Sequence, residues 1–198
     1  MDPECFDQTN AINGLMSVLM ITGGMSLMSG PQPVAPNLGA ALLALGFLVL
    51  ALAALDRDVS SFKDARRALK GSRSMVVLLS TLAVVSGFLA RHYHIQSLLT
   101  QHDDYRVVAA LIQDLPAIYK ALIYGGLAGL TVGLAMNKDG SINYFRGGFG
   151  ALSAVAVYFA NQNLTNAMAT NDVDQVNRAA TLLNASFLLP VVAVSYAC

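Results

Sequence analysis

The charged residues of this chain avoid six long apolar stretches, and this pattern constrains the fold more than any other feature. The chain has 12 Lys and Arg and 12 Asp and Glu residues, and almost all of them lie outside these stretches. A helix needs roughly 20 apolar residues, or about 17 at the shortest, to cross a bilayer core. The sequence therefore predicts an integral membrane protein. The predicted spans are residues 14–30, 38–55, 75–90, 117–136, 147–160 and 179–198.

Composition favours the same fold class. Hydrophobic residues make up 55% of the chain and charged residues only 12%, which is about half the charge of a soluble domain. We therefore predict an all-α fold, a single polytopic helical bundle over residues 1–198, with about six transmembrane helices and amphipathic segments at the membrane interface. The stretch 147–160 is the least certain span because it is short. A re-entrant helix or a buried helix is the alternative there.

The segment 56–74, between the second and third spans, is strongly basic. Half of all Lys and Arg residues lie in it, and short loops this basic usually stay on the cytoplasmic side. We predict that these residues lie at the membrane surface and that both termini share their face, which is cytoplasmic or equivalent to it. Ordinary positive-inside bias and a helix on anionic lipid both remain open as explanations. The basic residues are Arg57, Lys63, Arg66, Arg67, Lys70 and Arg73.

A second segment outside the predicted spans, residues 95–115, has an amphipathic pattern. Its apolar residues are interrupted at His102, Asp103 and Asp104, and Pro116 follows it. Because a residue before proline is biased out of the helical region, we predict a bend at Leu115. This polar-faced segment is a predicted contact site for a protein partner.

Small residues recur every four positions in the fourth predicted span. Ala121, Gly125, Gly129 and Gly133 form this row. Residues four apart lie near one another on a helix surface, and small side chains there let another helix approach closely. The row predicts a helix-packing interface, either within the chain or between chains. General glycine enrichment in membrane helices is the alternative.

No pattern in the sequence indicates catalysis or a bound cofactor. There is no nucleophile with a base and no glycine-rich phosphate loop, and Lys120 is the single ionisable residue within the six stretches. Its long stem reaches the membrane interface, which favours a structural role. His92 and His94 lie two positions apart, so on a helix they diverge by about 200°, which disfavours a metal site. A membrane-bound metalloenzyme that uses these histidines with His102, Asp103 and Asp104 is the alternative if the backbone is extended there. We predict a non-enzymatic protein without metal or cofactor.

These features together favour a structural or anchoring subunit of a larger assembly, either an organelle membrane complex or the internal membrane of a virus particle. Its expected partners are the lipid bilayer and other protein subunits of that assembly, with no nucleic acid. The alternative is a small-solute transporter or channel built from three-plus-three inverted halves. That alternative predicts a polar path near Thr131, Ser153 and Asn184.

Overall fold

The computed structural model describes residues 7–28, 35–55, 72–137, 140–170 and 172–195. Within these ranges the chain forms eight helices and no strand, which confirms the all-α prediction. The helices are α1 Gln8–Met28, α2 Pro36–Ala54, α3 Ser72–Gln101, α4 Tyr105–Gln113, α5 Ala117–Ala135, α6 Tyr144–Ala169, α7 Val173–Ser186 and α8 Leu189–Ser195.

Four of these helices, α1, α2, α3 and α5, are long and apolar enough to cross a membrane. They correspond to the first four predicted spans. The fifth predicted span lies inside α6, a continuous helix of 26 residues. The sixth is divided between α7 and α8 by an interruption at Phe187 and Leu188, just before Pro190. A proline cannot donate the backbone hydrogen bond that a continuous helix needs there, and its ring crowds the preceding turn.

The predicted amphipathic segment 95–115 is not one unit. Its first residues form the last turns of α3, and the rest form α4. Asp104 accepts a hydrogen bond from the backbone N–H of Arg106 at 2.8 Å, so its side chain caps the start of α4 and separates the two helices. α4 ends at Gln113 and α5 begins at Ala117, which agrees with the bend predicted at Leu115.

Neighbouring helices pack antiparallel and in close contact. A Cβ added at Gly24 of α1 would lie 2.6 Å from the carbonyl oxygen of Gly39 in α2, and one at Gly46 would lie 2.7 Å from that of Ser17. Residue numbers therefore increase along α2 in the direction in which they decrease along α1, so the two helices are antiparallel. Such contacts require glycine, because any side chain would push the backbones apart.

One end of the bundle brings several helix termini together, and we call it the Arg73 end. The guanidinium of Arg73, at the start of α3, donates to the carbonyl oxygens of Ala54 at 2.7 Å and Gly133 at 3.1 Å. These are last-turn carbonyls of α2 and α5, which carry partial negative charge. The backbone N–H of Asp7 donates to the carbonyl oxygen of Ser195 at 2.7 Å, next to Val194, which packs in the same cluster as Ala54.

The centre of the bundle is an aromatic cluster, the Phe trio of Phe47, Phe88 and Phe187. Their ring centroids lie 5.8–6.2 Å apart. The outer surface is also apolar: Leu19 of α1 is 65% exposed and Leu82 of α3 is 62% exposed. Monomeric soluble proteins rarely expose large contiguous apolar areas, so this surface suits a lipid environment.

Candidate functional site

A second close helix contact lies between α3 and α5. A Cβ added at Gly126 would lie 2.7 Å from the carbonyl oxygen of Ser80 and 2.9 Å from the backbone nitrogen of Val84. Gly129 faces the side chain of Ser80, and Gly133 faces that of Val77. Two members of the predicted row, Gly129 and Gly133, therefore face α3, and Gly126 was not in the prediction.

The other two members of the row face away from the bundle. Ala121 and Gly125 are exposed, and a Cβ added at Gly125 would meet nothing within 4 Å. A helix turns about 100° per residue, so a row of fours drifts by about 40° at each step. Over three steps the drift is about 120°, which carries the row from the outer surface to the α3 interface.

Ala121 and Gly125 instead belong to a different strip on the outside of α5. Ala128 and Val132 continue it, with spacings of three and four residues, and all four are exposed. We call this set, Ala121, Gly125, Ala128 and Val132, the outer strip. Larger residues such as Leu19 and Leu82 occupy many other outward positions, although Ala41 of α2 and Gly148 and Ala151 of α6 are also small and exposed. The outer strip is therefore a shallow surface along the first two turns and the middle of α5 that ends at the larger Val132.

Of the predicted membrane-surface basic residues, the structure describes Arg73; Arg57, Lys63, Arg66, Arg67 and Lys70 lie outside the described residues. Arg73 is only 8% exposed and points into the bundle, where it binds the two helix carbonyls described above. Last-turn carbonyls attract its charge, and its place at the membrane surface stays a prediction. Arg146 of α6, which the sequence did not single out, is also buried, at 2% exposed.

The largest cavity described lies toward the opposite end of the bundle, and we call it the Arg91 cavity. Its volume is about 350 Å³, within the range of small-molecule sites. Residues of α1, α2, α3, α6 and α7 line it. Its apolar wall includes Met25, Leu43, Phe88, Leu164 and Leu183.

Among the residues that line this cavity, Arg91 is the one that carries a permanent charge. Its Nη1 donates to Oδ1 of Asn161 at 2.7 Å, and Nδ2 of Asn161 donates to the hydroxyl of Tyr124 at 3.1 Å. This chain of hydrogen bonds joins α3, α6 and α5, and its three residues line a second, smaller cavity of about 80 Å³ next to the Arg91 cavity. No carboxylate lies among the residues that line the cavity, and Arg91 forms no ion pair within the described part of the chain.

Two further polar side chains of α3, His92 and Gln96, line the same cavity one helical turn apart. Nε2 of Gln96 donates to the carbonyl oxygen of Met28 at 3.2 Å. Nε2 of His92 and Oε1 of Gln96 are buried and have no hydrogen-bond partner among the described residues. Buried polar atoms are nearly always paired, so these two atoms are exceptions among the described residues.

The three histidines do not form a cluster. His92 lies at the cavity, whereas Nδ1 of His94 lies 3.4 Å from the hydroxyl of Tyr119 and His102 follows the end of α3. Over the described ranges, no group of three His, Cys, Asp or Glu side chains is arranged to hold a metal ion. Lys120 is exposed near the start of α5, where its ammonium lies 3.4 Å from the carbonyl oxygen of Gln113.

The three residues of the predicted polar path are not brought together. Thr131 and Ser153 line a small apolar cavity of about 40 Å³, together with Phe47 and Phe187. Asn184 lines the Arg91 cavity instead, next to Phe88. The Phe trio therefore separates the two cavities.

Comparisons of the chain with protein-family models, with curated proteins and with solved structures found no match. Sequence reasoning missed the Arg91 cavity, although one signal was present: Arg91, His92 and Gln96 follow directly on an apolar run without any helix-breaking residue. Continuation of α3 through these positions places all three inside the fold.

Proposed function

We propose that this chain is a multi-pass membrane protein that serves as a non-enzymatic structural or anchoring subunit of a larger assembly. The observation that carries the proposal is the outer strip of α5. In lipid, helices associate through close van der Waals contact, and small side chains allow that contact. A strip of small residues on the lipid-facing side of an already packed helix suits a helix from another subunit.

Six spans are part of this proposal. α6 has 26 residues, so it extends about 39 Å and exceeds the thickness of a bilayer core. α7 and α8 together supply a sixth, interrupted span. The contact between Asp7 and Ser195 at the Arg73 end supports an even number of crossings, since such a number returns the chain to its starting face.

The Arg73 end is proposed to lie on the cytoplasmic or equivalent face. Ala54 and Arg73 meet there, and the basic segment 56–74 connects them. Short basic loops favour that face. Both termini would share it, and the surrounding membrane would belong to an organelle complex or to a virus particle.

The anchoring role is tested by blocking the outer strip. Gly125→Leu adds a branched side chain where nothing lies within 4 Å, so the fold should survive while partner subunits no longer co-purify in mild detergent. Gly23→Leu on α1 is the matched control, because a Cβ at Gly23 also meets nothing within 4 Å. Equal partner recovery with the parent and with Gly125→Leu would contradict the proposal.

A transporter is the second candidate, and the two cavities on either side of the Phe trio favour it. Such a protein would open each cavity to a different face in turn. In a variant without Cys5 and Cys198, cysteines placed at Ser153 and Asn184 would then react with impermeant reagents from opposite sides of sealed vesicles. An anchoring subunit predicts that the Ser153 position reacts from neither side.

A further inference from the structure

We propose that the Arg91 cavity binds an anionic amphiphile, with an oxyanion headgroup at Arg91 and a single apolar chain along the cavity wall. The headgroup is a carboxylate or a phosphate monoester, and both supply oxygen acceptors to a guanidinium. This site goes beyond the anchoring role, and either proposal stands without the other.

The first argument is the uncompensated charge of Arg91. A guanidinium carries five N–H donors, and the only hydrogen bond that Arg91 makes within the described ranges goes to the neutral amide of Asn161. Arg91 is half-buried, and charged groups withdrawn from water are normally paired with an opposite charge. No carboxylate lines the cavity, so the missing anion would come from a bound molecule.

The second argument is Nε2 of His92, the next residue of α3, which is buried without a hydrogen-bond partner in the described part of the chain. This atom is covered by protein atoms, so it reaches a headgroup only after the side chain moves toward the cavity. That movement would give a hydrogen bond to an atom that has none in the described part of the chain. A neutral imidazole in its Nε2–H tautomer donates through that atom.

The third argument is the shape and polarity of the cavity. Met25, Leu43, Phe88 and Leu183 provide an apolar wall that a free ion would leave unfilled. The Arg91 charge and the lack of acidic lining residues disfavour a cationic amphiphile. An apolar chain with an anionic head satisfies both parts of the cavity at once.

The test uses the full chain in nanodiscs of zwitterionic lipid. Equilibrium binding of each probe is measured, and its binding to protein-free nanodiscs is subtracted. Dodecanoate and dodecyl phosphate are the anionic probes, and dodecanol and dodecyltrimethylammonium are their uncharged and cationic counterparts. Acetate and inorganic phosphate supply the headgroups alone. We expect saturable binding of both anionic probes, at least tenfold weaker binding of dodecanol, and no binding of the cation or of the small anions.

Three variants locate the site. Arg91→Gln should weaken dodecanoate binding at least tenfold, whereas Arg178→Gln, which removes an exposed arginine of α7, should not. Asn161→Asp keeps the side-chain shape and gives Arg91 a carboxylate partner within the protein. It should therefore preserve the fold and still weaken binding of both anionic probes, which keeps the test decisive even if Arg91→Gln does not fold.

Several results would overturn the proposal. Dodecanol binding as tightly as dodecanoate would remove the role of charge, and acetate or phosphate binding as tightly as the amphiphiles would remove the role of the chain. Unchanged binding by Asn161→Asp, or no saturable binding of either anionic probe to the parent protein, would exclude the Arg91 cavity as the site.

Discussion

Adjacent glycines of α5 provide a matched test of the helix packing. Gly125→Ala and Gly126→Ala add the same methyl group to consecutive residues. At Gly125 the new Cβ meets nothing within 4 Å. At Gly126 it would lie 2.6 Å from Cγ2 of Val84 and 2.7 Å from the carbonyl oxygen of Ser80, a backbone atom that cannot rotate away.

The magnitude follows from these distances. Restoring an ordinary contact of 3.4 Å to the Ser80 carbonyl oxygen requires α3 and α5 to separate by about 0.7 Å. Overpacking of this kind costs roughly 1–3 kcal/mol, whereas alanine in place of glycine gains up to about 1 kcal/mol in a helix. Gly126→Ala should therefore lower the free energy of unfolding by about 1–2 kcal/mol, and Gly125→Ala should leave it unchanged or raise it slightly.

Thermal melting in a mild detergent measures the difference. For a chain of this size, 1 kcal/mol corresponds to a Tm shift of roughly 2–4 °C, so Gly126→Ala should melt about 2–8 °C below Gly125→Ala. SDS titration of the same proteins provides a second measure of stability. If both variants lose stability equally, or if Gly125→Ala is the less stable of the two, the face of α5 that contains Gly126 does not pack on α3.

Three further predictions concern the ends of the bundle. Arg73→Met removes the guanidinium that donates to the carbonyls of Ala54 and Gly133, so the free energy of unfolding measured by SDS titration should fall by about 2–4 kcal/mol. Arg106→Met, at an exposed position, should change this free energy little. In sealed vesicles, cysteines at Lys63 and Lys70 should react from the same face as Cys198, and reaction of Cys198 from the opposite face would contradict the six-span proposal. Asp172 caps α7. Hydrogen bonds from Gln175, first from its backbone N–H and then from its side chain, hold the pKa of this carboxyl below its ordinary value, and the backbone N–H of Asp174 adds to them. The stabilisation from its charge is therefore present above the usual aspartate pKa and lost as pH falls through the lowered one, so the Tm deficit of Asp172→Ala should shrink in acid; a pH-independent deficit would contradict this assignment.

The charge pattern was sufficient to predict the helical class and the position of the first four long helices. It did not predict the length of α3, because hydropathy falls at Arg91 although the backbone hydrogen bonds continue to Gln101. The polar side chains in this extension remain compatible with the fold because Asn161 and Met28 accept hydrogen bonds from Arg91 and Gln96. Those acceptors are 70 and 68 residues away in the sequence, so no local pattern reveals them.

The glycine row illustrates a related limit. Spacing identifies residues that lie near one another on a helix, but not the direction in which that helix faces its neighbours. Gly126 packs on α3, whereas Gly125 faces outward, and no sequence feature distinguishes the two. No local pattern reveals the wall of the Arg91 cavity, since it comes from five helices that meet only in the folded chain.

The carbonyl contacts of Arg73 also bear on how the protein is made. Ala54 precedes Arg73 by 19 residues, but Gly133 follows it by 60 residues. At a synthesis rate of about 5–20 residues per second, the ribosome needs roughly 3–12 s to reach Gly133 after Arg73. Both helices of the α1–α2 hairpin have been synthesised before that interval begins, whereas the helix that covers Gly87 and Val84 of α3 is synthesised within it. The chain therefore passes through a stage at which α3 is complete but α5, the helix that packs on it, is not.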